Sequence, residues 1–122
     1  MAQADVARFK LQRVNPFQGL MIDAATWRDA HEYHRNQMRL HQLALHGWGI
    51  AQGLEVSLEP SAENTVRVEA GIAVEPSGNF IVVSEPYVHH VAAREAGTIY
   101  LLLMFSEVPT GPIQPADRKS VV

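Results

Sequence analysis

From Ala24 to His46 the chain contains no glycine and no proline, and its only β-branched residue is Thr26. A stretch of that length and composition favours one regular conformation, the α-helix, because nothing in it strains the helical backbone or removes a hydrogen bond. Both ends are marked. Asp23 is a good N-cap, since its short carboxylate can accept the amides of the first turn, and Ile22 before it can fold onto Trp27 as a hydrophobic staple. The glutamate of a full capping box is missing, with Thr26 in its place. Gly47 suits a left-handed residue just past the helix, with Trp48 folding back on Leu43. At about 100° per residue, Trp27, Ala30, Tyr33, His34, Gln37, Met38, Leu40, His41, Ala44 and Leu45 share one broad face. Arg28, Glu32, Arg35, Arg39 and His46 share the other, with Glu32 placed to meet Arg28 and Arg35. The expectation is an amphipathic helix laid on an apolar layer.

Past Gly47 the period changes to two. Leu54, Val56 and Leu58 alternate with Glu55, Ser57 and Glu59; Val66, Val68 and Ala70 alternate with Arg67 and Glu69. Ile72 and Val74 continue in phase past Gly71, which marks a bulge or a bend. Residues 47–53, GWGIAQG, read as a helix cap, a tight turn and close packing at Gly53. Residues 76–79 read as a turn, and residues 80–83 and 87–91 as short strands around Pro86. Residues 98–105, TIYLLLMF, are apolar on both parities, the pattern of a central strand covered on both faces. Residues 8–14 carry a weaker alternation. The fold class expected is α+β: one long amphipathic helix packed on an antiparallel β-sheet or small barrel of five or six strands.

A chain of 122 residues, 47% hydrophobic, is large enough for one core and too small for two. The expected layout is a single domain over residues 1–108, with the Pro-rich segment 109–122 leaving it as a tail or linker. A net charge of -3 gives no electrostatic pull toward nucleic acid or an anionic membrane. The absence of cysteine removes disulfides, thiolate ligands and cysteine nucleophiles. The N-terminus has no apolar run of signal-peptide length, and the longest apolar stretch, 98–105, is far too short to cross a bilayer. These features point to a cytoplasmic protein, free or incorporated into an assembled particle.

Four of the six histidines fall between residues 31 and 46. The order HEYH at residues 31–34 fails as a zincin helix, because the position four after His31 is Arg35. His31, His34 and His41 remain the candidates for a metal or acid–base site, with Glu32 or Asp29 assisting; against it, the spacing supplies no further ligand and the same face carries Trp27, Met38 and Leu45. His89 and His90, adjacent on a strand, point to opposite faces. GWGIAQG departs from the dinucleotide-loop spacing and runs from helix to strand, the reverse of that motif. No catalytic residue and no cofactor is assigned.

Three stretches together resemble a known module. Phe17, Gly19, Leu20 and Ile22 make an entry; His46, Gly47, Trp48, Gly49, Gly53, Leu54 and Val56 make an exit; Gly71, Ala73, Gly78, Ile81 and Val83 make a hairpin. The pattern is similar to bacterial proteins associated with phage-tail-like and contractile injection systems, baseplate and tail-fibre β modules included, over roughly residues 9–105. The resemblance implies a non-enzymatic structural or adaptor role in assembly. The partner would be another protein or a homo-oligomer, with no nucleic acid and no membrane. Phe17, Leu20, Met21, Trp48 and Ile50, large apolar residues around the helix entry and exit, are the interface candidates. Two alternatives stay open: a small metal-dependent or histidine-based enzyme, and a ligand-binding β domain using Trp48, Tyr87 and Tyr100.

Overall fold

A computed structural model describes residues 6–92, 96–109 and 111 of the chain. It is α+β, with one α-helix and six strands in two three-stranded antiparallel sheets. After a 3-10 turn over Val6–Arg8, residues 9–16 take no regular structure, so the weak strand signal there is not realised. Phe17 to Leu20 form a turn in which Leu20 N–H donates to the Phe17 carbonyl (3.1 Å) and Gly19 takes φ 89.

Helix α1 spans Ala24–Leu45, 22 residues, capped as the sequence suggests. Asp23 Oδ1 accepts from Thr26 N (2.8 Å) and Thr26 Oγ1 (2.7 Å). At the far end Gly47 is left-handed (φ 85), and its amide and that of His46 both donate to the Gln42 carbonyl. The staple leaves both its members, Ile22 and Trp27, exposed, and Trp27 sets its ring edge against His31, centroids 4.9 Å apart. Among the described residues no helix is long and apolar enough to cross a membrane.

The hydrogen bonds to Asp23, the backbone amide of Thr26 first, hold its carboxyl below its ordinary 3.8. A lowered folded-state value contributes stability above the unfolded value and loses it as the pH falls. Helix content by far-UV circular dichroism should therefore begin to decline as the pH approaches 3.8 from above and continue below it. Asp23→Ala should already be lower at neutral pH and lack that component of the acid sensitivity; an unchanged acid profile would mean that the cap is not formed.

The strands are β1 (Gly49–Gly53), β2 (Val56–Leu58), β3 (Thr65–Val68), β4 (Gly71–Val74), β5 (Phe80–Val83) and β6 (Tyr87–His90). One sheet has the order β1-β4-β5 and the other β2-β3-β6. Both are built from the same three chain segments, each bent in the middle. β1 and β2 join at Leu54 (φ 61), whose amide donates to the Ala70 carbonyl (3.2 Å), and Glu69 N donates to Glu55 O (2.9 Å). The backbone ladder between the first two segments thus continues through the corner. Gly71 is the bend its place in the alternation suggested, since it starts a strand in the other sheet.

Two expectations about packing do not hold. The sheets do not close into a barrel, because three-stranded sheets with free edges are too small to wrap on themselves. Nor does α1 lie along a sheet face, since the extensive contacts between elements are all strand on strand. The helix meets the β4–β5 turn instead. Arg39 Nε donates to Asn79 Oδ1 (2.6 Å), and the Arg39 backbone stands so close to Gly78 (φ 91) that a Cβ there would lie 2.7 Å from the Arg39 carbonyl oxygen. The side turned to the body is mixed: Glu32, Arg35, Asn36 and Arg39 are half-buried together with Ala30, Tyr33 and Leu40, around the buried Leu43. Trp27, Met38 and Leu45 face solvent. The reason is electrostatic. Glu32 bridges Arg35 (3.2 Å) and Arg39 (3.4 Å), so this face carries its own partners inward.

The buried hydrophobic residues are few: Leu43, Leu54, Ala73 and Val74 among those described. Thr65, also buried, donates its hydroxyl to the Glu63 carbonyl (2.9 Å) and lies 3.3 Å from His90 Nδ1.

Candidate functional site

The bend in the strands makes a groove. Trp48, Ile50, Leu54, Ala73 and Val74 contribute from one side of the corner, and Val68 and Tyr87 from the other; it encloses about 960 Å³. Residues 101–103 complete its lining. The expectation of a central strand over residues 98–105 is overturned here. The segment belongs to no sheet, and among the described residues no backbone hydrogen bond reaches it. It keeps the two-residue alternation nonetheless. Leu101 and Leu103 are 43% and 46% exposed, whereas Tyr100, Leu102 and Met104 are 83%, 85% and 77% exposed. An extended chain rests one apolar face against the body and offers the other to solvent. Among the described residues the six strands pair only with one another, in the two three-stranded sheets.

At its C-terminal end the segment is tethered. Glu107 accepts from Arg35 of α1, and Phe105 lies with Met38 and Phe80 in a shallow cleft beside that ion pair. Glu107 is exposed and Arg35 only half-buried, so the tether is a weak one.

The interface candidates divide. Trp48 and Ile50 line the groove and are exposed. Phe17 and Met21 are also exposed, and Leu20 half-buried, but these three stand at the helix entry outside the groove lining. Of the three aromatics considered for ligand binding, Trp48 and Tyr87 line the groove, while Tyr100 is not among its lining residues. Residues 99–105 were missed as a surface because their composition reads as core. Their lack of any charge beside a chain short of further strands was the signal available.

The histidines are not brought together as a site. His31 packs on Trp27, His34 on Tyr33 with centroids 5.2 Å apart, and His41 pairs with His46 at 3.3 Å between their Nε2 atoms. No group of three or more metal-ligating side chains is assembled among the described residues. Glu32 is engaged by Arg35 and Arg39, and Asp29 borders a separate polar cleft with Lys10 and Arg13. Glu69 holds the Arg67 guanidinium above its already high ordinary value. The polar lining of the groove consists of Glu75, Ser84, Glu85 and His89, none of them buried. Such a groove can bind an apolar surface by excluding water; it holds no desolvated acid or base.

No protein-family model and no curated protein matches the chain.

Proposed function

We propose that the chain is a structural module of protein–protein assembly, without enzymatic activity, whose apolar core is completed by another protein or by further copies of itself. The observation that carries this is the outward face of residues 98–105. Tyr100, Leu102 and Met104 stand at alternate positions of a segment whose amides and carbonyls have no backbone partner among the described residues. Unpaired backbone and apolar side chains on one strand are together what β-strand addition uses, the ladder giving affinity and alternate side chains specificity. Trp48 and Ile50 extend the same apolar surface along the groove. The likeness to phage-tail-like modules supports placing this assembly in a particle of that kind.

Native mass spectrometry of the protein produced together with its neighbouring gene products tests the proposal. The expected result is a species heavier than the 13.5 kDa chain, either a multiple of it or a complex with one of those products. A strict 13.5 kDa monomer at every concentration, carrying no other protein, would remove it.

A further inference from the structure

The solvent side of α1 has an order of its own. Trp27, His31, His34, Met38, His41 and Leu45 follow one another at spacings of four, three, four, three and four residues, and all six are exposed. That is the 3.5-residue period of a coiled-coil seam, in which such positions enter the holes of a facing helix. On this numbering Asn36 and Leu43, which are half-buried and buried, lie on the opposite side of the helix. The helix therefore has one face for its own body and a separate exposed face, some 27 Å long at 1.5 Å per residue, whose His34 and Met38 also border the shallow cleft with Phe80 and Phe105.

We infer that this seam is an interface with a second copy of the chain, the two helices lying parallel and in register. The charges beside the seam single out that occupant. The residues flanking it on one side are Ala30, Gln37 and Ala44, and on the other Arg28, Arg35 and Gln42. A parallel copy sets Ala30 against Arg35 and Gln37 against Gln42, so no like charges meet. An antiparallel copy sets Arg35 against Arg35. In register, Trp27, Met38 and Leu45 each meet their own counterpart, and three layers pair imidazole with imidazole, one ring donating and the other accepting. Polar layers of this kind select register at some loss of stability. Trp27, Met38 and Leu45 are 59%, 62% and 63% exposed, apolar surface that a second copy would cover. This surface is distinct from the strand face of residues 98–105, and the inference does not rest on the function proposed for that face.

The chain has no cysteine, so a single introduced one reports register directly. In the full chain, His31→Cys should form a disulfide-linked pair on mild oxidation, because only a parallel, in-register helix brings the two Cα atoms within the roughly 7 Å that a disulfide can span. Ser57→Cys, exposed on β2, is the control for random collision. Leu45→Glu, at an exposed seam position, should keep the helical circular dichroism signal and lower the sedimenting mass of the otherwise unmodified chain. Cross-linking many-fold faster at residue 31 than at residue 57, together with loss of mass in Leu45→Glu, is the expected result. Equal cross-linking rates, a wild-type chain that sediments alone, or self-association indifferent to Leu45→Glu would each overturn the inference.

Discussion

Gly53→Ala should destabilise the protein by about 3 kcal/mol or more, the sum of a left-handed backbone penalty and an overpacking penalty. Gly53 sits at φ 65, and a Cβ placed there would stand 2.1 Å from the Ala70 carbonyl oxygen and 2.9 Å from Gly71 Cα. Both obstacles are backbone, so no side chain can swing aside. They are also the backbone that carries the ladder around the corner, since the same Ala70 carbonyl accepts from Leu54. Relieving the clash means opening the joint between the sheets. With so few side chains buried, little packing remains to compensate. Thermal or urea unfolding followed by circular dichroism is the measurement. Gly97→Ala, where an added Cβ meets nothing within 4 Å, should stay within about 0.5 kcal/mol of the unsubstituted chain. If the two variants unfold alike, the corner is not where stability resides.

The second large effect concerns assembly, with folding left intact. Leu102→Lys with Met104→Lys puts two charges on the face that the fold leaves in water, so the isolated chain should fold as before. In the proposed assembly the same positions are covered. Losing two buried apolar side chains removes about 1.5–3 kcal/mol each. The association constant should then drop by roughly a hundredfold or more, at 1.4 kcal/mol per factor of ten. Sedimentation velocity should show the assembly reduced to whatever the helix seam alone holds together. Normal assembly in the doubly substituted chain would mean that this face stays in water throughout.

The backbone-local features were legible in the sequence. Asp23, the unbroken run after it and Gly47 delimit α1 because capping and helix propensity act within a few residues. Alternation locates β2, β3 and β4, the apolar runs around Pro86 locate β5 and β6, and Gly71 marks a place where a strand deviates. β1 was hidden because three of the seven residues in 47–53 are glycine, and a strand with few side chains carries no alternation to read. The orientation of the helix was not legible from hydrophobicity. Its charged residues turn inward where Arg39, paired with Glu32 within the helix, reaches across to Asn79, a property of three-dimensional pairing. His46 escaped notice as the neighbour of His41 because the end of the helix, with φ -123 at the cap, takes it off the helical wheel. The apolarity of residues 98–105 suggests cover on both faces, which the described residues do not provide, since Tyr100, Leu102 and Met104 are exposed. The expected tail from residue 109 onward lies outside the described residues, apart from positions 109 and 111.

Amide hydrogen exchange over residues 98–105, compared between the dilute chain and its assembly, probes most directly whether that segment is a strand completed by another molecule. The expected result is fast exchange in the lone chain and strong protection, alternating along the segment or continuous, once assembled. Protection already present in the single chain, or exchange equally fast in both states, would contradict it.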